Sequence, residues 1–457
     1  MSVASHTMAK TSSSDLDLPS RPPPLSPAFG ESGTTIFTTM SALSAKHDCV
    51  NLGQGFPDVD GPAKIKEVAA KHLLEKAQQY CPAAGVPELR AAIAAHSAKF
   101  CSLPVDAESG VVVTAGATEA LAAAILAFVA PGDRVVLLDP SYDSYAPIVR
   151  AAGGEVVALP LRPPRAAGEE EGGSVSSWSL PDAADLRDAI GARHTKLVVV
   201  NSPHTPTGKV FTGPELERLA GIVREGHPDG RCLFLLDEVY QHLVHPPKER
   251  TTPTLGDGGG ESERARREPE APKHASLASL PGMAQRCVRV GSAGKTFSLT
   301  GFKVGWATSS NPALTSALFR AHQFLTFCVP PSLQAGVAAG FAECSPYFLG
   351  LGAELARKRA RLERWVGEAG FRPLPAEGTY FLVADAAALM APSETDAGFC
   401  VRLAEEGRVA AIPLSAFYNN KSGAPKTLVR FCLCKRDEVL DEGGRRLRSF
   451  WEEQRKK

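Results

Sequence analysis

Residues 196–240 read KLVVVNSPHTPTGKVFTGPELERLAGIVREGHPDGRCLFLLDEVY. The apolar run 197–200 ends in a polar turn, and GPELERLAGIVREG then repeats apolar residues at Leu216, Leu219, Ile222 and Val223, a helical spacing. A second apolar run, 232–236, ends on Asp237. Short uninterrupted apolar runs predict strands covered on both faces, and a helix between two such runs predicts that they lie parallel. This stretch therefore reads as strand, crossover helix and strand of an α/β sheet.

The same alternation extends outward. GVVVT (110–114), DRVVLLD (133–139) and CVRVGS (287–292) read as strands, while PAKIKEVAAKHLLEKAQ (62–78), PELRAAIAAHSAKF (87–100) and ATEALAAAILAFVA (117–130) read as helices. After GFKVGWA (301–307) the pattern changes to helices at 311–323, 332–343 and 346–368, then to isolated strands GTYFLVAD (378–385) and TLVRFCLC (427–434). The expectation is a large domain over 62–310 with a mostly parallel sheet sandwiched by helices, and a smaller α+β domain over 311–457. Residues 31–61 form an N-terminal arm and part of the small domain. Segments 162–177 and 247–273, rich in Pro, Gly and charge, read as solvated loop insertions, and the Ser- and Pro-rich residues 1–30 as a disordered extension.

Fifty Lys and Arg balance fifty Asp and Glu, so the chain lacks the net field that draws proteins to nucleic acid or an anionic membrane, and a small molecule is the expected partner. No apolar run approaches the roughly 20 residues needed to span a bilayer. Ten scattered cysteines read as reduced thiols of a cytosol-like compartment. Cys432 and Cys434, two apart in a strand, face one side, but a metal there lacks further ligands nearby. Asp15, Asp17 and the scarcity of Arg argue against an organelle transit segment, so a cytoplasmic location is expected.

In such sheets ligands bind beyond the carboxyl ends of the strands. After GVVV come Thr114, Gly116, Ala117 and Thr118, leading into a helix whose free N–H groups favour a phosphate; a capped helix behind a tight turn accounts for the same residues. After CLFLL comes Asp237, with Tyr240 three residues on. A buried carboxylate needs a partner such as a protonated pyridine nitrogen, unless it only caps a helix. After CVRV, Gly291, Gly294 and Gly301 bracket Lys295, with Ser292 and Lys303 on either side; a lysine in an apolar, glycine-bracketed loop suits a Schiff base. Arg430, in an apolar strand, fits either a substrate carboxylate held bidentately or a structural ion pair.

Taken in order, these motifs resemble the pyridoxal phosphate aminotransferases of fold type I, class I, and most closely the kynurenine, glutamine and methionine aminotransferase branch. NLGQGFPD, PSYDSY, TPTGKVF, DEVYQHL, ASLPGM, GSAGKTFSLTGFKVGW, EGTYF and AIPLSAFY carry the resemblance across nearly the whole chain. It implies that Lys295 forms the Schiff base with pyridoxal 5′-phosphate and moves a proton, that Asp237 keeps the pyridine nitrogen protonated, and that Tyr240 hydrogen-bonds the phenolic oxygen. Tyr142 would stack on the ring, and Ala117, Thr118, Ser292 and Lys303 would hold the phosphate. Asn201 and Thr205 would meet the cofactor from the opening turn. Arg430 and Gly55 would bind the substrate carboxylate, and Phe327 would line the side-chain pocket. Tyr80 would reach the phosphate of a neighbouring subunit, implying a homodimer with shared active sites.

The implied activity is exchange of an amino group between a neutral or aromatic amino acid and a 2-oxo acid. The same machinery admits β-elimination from a cysteine conjugate. One position departs from the family. The pattern Asn-x-Pro-x-Asn-Pro-x-Gly here has Thr205 in place of its second asparagine, trading an amide for a hydroxyl on a shorter arm. That loss of donors also admits a cofactor-binding protein of weak catalysis.

Overall fold

The computed structural model describes residues 26–30, 35–164, 177–246 and 274–456. Most of the expected extension at 1–30 and of the insertions at 162–177 and 247–273 lies outside the described residues, although a bridge between Arg162 and Ser179 joins the ends of the first insertion.

Seven strands form the central sheet, in the spatial order Val111–Thr114, Gly305–Thr308, Cys287–Ser292, Leu233–Asp237, Thr195–Asn201, Arg134–Asp139 and Glu155–Pro160. Gly305–Thr308 is antiparallel to both its neighbours and the remaining pairs are parallel. The apolar runs are buried throughout, as strands covered on both faces must be. Glu155–Pro160 has an apolar run of its own at 156–159, absent from the strands expected above; it lies at the sheet edge and is half-buried between exposed ends.

Helix Gly213–Gly226 shows how the crossovers are specified. Thr212 accepts from the Glu215 backbone N–H while Glu215 caps the Thr212 N–H in return, and Leu216, Leu219, Ala220, Ile222 and Val223 form its buried stripe. Replacing Thr212 by Ala removes a cap worth about 1 kcal/mol.

A second sheet of four antiparallel strands runs Ile412–Pro413, Leu428–Cys432, Phe381–Asp385 and Arg372–Pro373, with helix Ser345–Glu368 packed on both the sheet and helix Asp437–Gln454. Val50–Asn51 pairs in parallel with Val409–Ala410, which brings the early chain beside this layer. Helices Pro312–Leu325 and Pro331–Glu343 pack instead against Gly116–Phe128 and Ala63–Glu75, so packing does not follow the boundary expected at residue 310. Among the described residues no helix is long and apolar enough to cross a membrane.

Register decides what meets at the sheet's edge. Asn201 stands opposite Asp237, Ser292 opposite Gly305, and Gly305 opposite Thr114. Polar residues as far apart in the chain as Thr114 and Ser292 thereby share one rim.

Candidate active site

A cavity of about 240 Å³ opens at that rim, lined by Ala117, Thr118, Tyr142, Thr205, Asp237, Tyr240, Ser292, Lys295 and Lys303 among others. One end is built for an anion. Helix Gly116–Phe128 begins there with its free N–H groups, Gly116 adopts φ +79°, and a Cβ on Gly116 would lie 3.2 Å from Lys303 Nζ, so glycine lets the ammonium approach the backbone. Lys303 itself is held at φ +53°, a conformation uncommon for a side chain other than glycine.

At the other end Asp237 is buried, and its carboxylate accepts a 2.6 Å hydrogen bond from Tyr145 Oη. Burial pushes this carboxyl up to about 6, against that hydrogen bond. Among the described residues no ion pair neutralises it, which is the environment a cationic ring nitrogen completes. Lys295 stands between the two ends. Its amine donates to Tyr380 Oη at 2.7 Å and lies 5.8 Å from the Tyr240 ring centroid, and burial lowers its pKa. Tyr142 lines the wall with Oη 3.3 Å from Thr118 Oγ1.

Arg430 is buried just outside this cavity. One Nη donates to the Gly53 carbonyl at 2.9 Å, Nε has no partner, and the guanidinium lies 4.0 Å from the Phe381 ring centroid and 4.8 Å from that of Phe417. Burial pushes it down to about 10, leaving it a cation at neutral pH. An orphaned buried donor on a planar cation is what a carboxylate satisfies.

Three expected contacts fall elsewhere. Asn201 does not line the cavity; its amide donates to the Asp237 carbonyl at 2.8 Å and accepts from Thr205 N–H at 2.7 Å, so it shapes the turn from behind. Phe327 does not line the cavity of its own chain either. It is 44% exposed, at φ +69°, and packs edge-on against Tyr80, which is 84% exposed. Phe327 projects outward because the turn after helix Pro312–Leu325 carries it away from the rim, and Tyr80 meets it from the segment between helices Ala63–Glu75 and Pro87–Cys101. Gly55 touches the site through Tyr380, whose hydroxyl donates to its carbonyl at 2.8 Å.

Two site tyrosines carried no assignment from sequence, Tyr145 and Tyr380. Both stand in quoted motifs, PSYDSY and EGTYF, and a signal existed: a buried tyrosine hydroxyl in an apolar setting must find a partner.

A phosphate cradle, a buried carboxylate and a lysine between them, at the strand ends of a mostly parallel sheet, define a pyridoxal phosphate enzyme of fold type I. The chain belongs to the family of aminotransferases of class I and II, whose sequence model matches residues 47–447. It is 38% identical over 422 residues to a probable N-succinyldiaminopimelate aminotransferase of Mycobacterium tuberculosis, covering 91% of this chain and 95% of that one. The solved structure of N-succinyldiaminopimelate aminotransferase from that organism superposes with a TM-score of 0.80 at 36% identity, over 93% of this chain and all of that one. Methionine aminotransferase of Escherichia coli is 36% identical over 420 residues (92% and 96% covered), and human kynurenine–oxoglutarate transaminase 3 is 33% identical over 426 residues (89% and 86%). The protein is an aminotransferase dependent on pyridoxal 5′-phosphate.

Proposed function

We propose that the chain passes the amino group of a neutral or aromatic amino acid to a 2-oxo acid. The observation that carries this reading is Arg430, a buried guanidinium with an unpartnered Nε set among Phe37, Phe381 and Phe417. It offers a planar carboxylate a fork of donors and offers the rest of the substrate apolar walls. Among the described residues the cavity lining holds no arginine for a second carboxylate.

In this reading the first N–H groups of helix Gly116–Phe128, with Ser292 and Lys303, hold the phosphate. Tyr145 would hold the Asp237 carboxylate for the ring nitrogen, Tyr142 would stack on the ring, and Tyr240 would hydrogen-bond its phenolic oxygen. Lys295, whose burial favours the neutral amine, would move the proton between the substrate Cα and C4′ of the cofactor. Bound there, the cofactor supplies an acceptor for the electron pair left at Cα.

The partners are a small amino acid and an oxo acid, and the working unit is a homodimer. Tyr80 and Phe327 pack edge-on at the surface, and Phe324, 92% exposed, stands on the helix that leads to Phe327, apolar groups that water does not favour leaving open. On the dimer Tyr80 and Phe327 would complete the neighbouring subunit's site. All ten cysteines are free, in keeping with a reducing, cytosol-like compartment.

Borohydride reduction of the purified holoprotein, followed by peptide mapping, is expected to fix the cofactor on Lys295. Glutamine, methionine, phenylalanine and kynurenine are then expected to shift the cofactor's visible absorbance in single turnover faster than aspartate. Absence of label at Lys295 overturns the site assignment, and aspartate reacting fastest overturns the substrate class.

A further inference from the structure

The hydroxyl of Tyr380 lies where three parts of the molecule meet. Its oxygen accepts from Lys295 Nζ at 2.7 Å, and its own proton goes to the Gly55 carbonyl at 2.8 Å. The ring is buried, packed edge-on against Tyr240 at 5.3 Å and against Phe381 at 4.8 Å between centroids. The backbone is tied on both sides: Thr379 N–H donates to the Leu243 carbonyl and Leu433 N–H donates to the Tyr380 carbonyl. Gly55 approaches so closely that a Cβ there would lie 2.7 Å from the Phe381 ring, so only glycine keeps its carbonyl within reach of the phenol.

We propose that Tyr380 is the positioning residue for Lys295: it holds the amine by one N–H whenever that amine is free, and through Gly55 it ties the amine's position to the loop beside Arg430. This rests on Lys295 being the reactive amine of the proposed function. A phenol that has given its only proton to a carbonyl offers lysine lone pairs and nothing else, so the amine donates to it and its own lone pair points away. A lysine at the end of a four-carbon stem otherwise samples many orientations, and fixing one removes that search from each turnover.

Tyr380 positions rather than titrates. Burial raises its pKa well above the usual tyrosine value, so it keeps its proton on Gly55. An acceptor at 2.7 Å favours the protonated amine and so opposes the burial that lowers Lys295. Asp237, Cys432 and Cys434 act in the same sense as Tyr380, Lys303 acts against them, and Tyr240 presents its ring.

Tyr380→Phe keeps the ring packing and deletes the hydroxyl. In cofactor-free protein, labelling of Lys295 by trinitrobenzenesulfonate as a function of pH, read by peptide mapping, is expected to show the midpoint falling by about one to two units. In the holoenzyme kcat is expected to fall about tenfold to a hundredfold, with the pH profile shifted the same way. Gly55→Ala moves the carbonyl away with Tyr380 still present; the freed phenol then donates to the amine, and the labelling midpoint again falls. Midpoints within about 0.2 units of the parent in both variants, with an unchanged pH profile, overturn the proposal. Failure of the underlying reading looks different: the midpoints move, yet borohydride leaves Lys295 of the parent unlabelled.

Discussion

Asp237 closes strand Leu233–Asp237 and Glu238 is the next residue beyond it, and they are buried to the same degree. Glu238 is surrounded by partners. Arg289 Nε donates to it at 2.7 Å, Ser276 Oγ at 2.5 Å, and His274 Nε2 stands 3.2 Å away, while Arg289 also reaches Ser97 and Cys101. Burial alone pushes the Glu238 carboxyl up, but the Arg289 guanidinium, His274 and the Ser276 hydroxyl together outweigh it and hold the group down to about 2. Asp237 receives one tyrosine hydroxyl and rises to about 6. A buried charge supplied from within the fold belongs to the scaffold; one left short belongs to what the scaffold binds.

The strongest way to break this contrast is Glu238→Ala. Stranding Arg289 in the interior is expected to destabilise the cofactor-free protein by about 3–5 kcal/mol in urea unfolding, with the cofactor still bound by the molecules that remain folded. A loss below about 1 kcal/mol would show that the network is ornamental.

Asp237→Asn sharpens the contrast through pH. Because the folded pKa of Asp237 is raised from near 4 to about 6, the folded cofactor-free chain holds a proton that the unfolded chain has lost across that window. Stability from this group therefore falls as pH rises from about 4 to about 6, by about 3 kcal/mol. For Glu238, with its pKa depressed, the contribution is present above about 4 and lost as pH falls toward 2. Asp237→Asn is expected to gain stability over the parent between pH 4 and 6 and to lose that advantage once cofactor is added. A difference that is flat in pH would remove the distinction between the two carboxyls.

The smallest effect is expected at Thr205, which lines the cavity where the family pattern has asparagine. Thr205→Asn adds donors on the under-supplied side, and kcat/KM is expected to rise about tenfold with the urea midpoint unchanged. Equal rates would show that the hydroxyl serves as well as the amide.

The central sheet was legible because its strands are buried on both faces, so continuous apolar runs such as 197–200 had no other reading. Gly305–Thr308 was not, since four residues in a glycine-rich run carry no period, and its place was decided by pairing with Val111–Thr114 and Cys287–Ser292. The residues that line the cavity came from motif order at strand ends, which register then aligned. Asn201, Phe327 and the two tyrosines show the limit of that reading. A motif marks which residues gather at a site but leaves open whether an amide faces the ligand or the backbone, and whether an aromatic serves its own subunit. Those outcomes depend on side-chain partners hundreds of residues away.

One such partnership bears on how the protein comes into being. The bond from Arg430 to the Gly53 carbonyl joins residues 377 positions apart, and Leu52 and Gly55 reach Cys432 and Tyr380 across similar spans. On the ribosome the strand bearing Asp237 and the helical turn bearing Lys295 emerge well before Arg430 exists. A nascent or truncated chain can thus own the cofactor's cradle while lacking the grip on substrate. The clamp is the last part to be finished, and only a complete chain can close it.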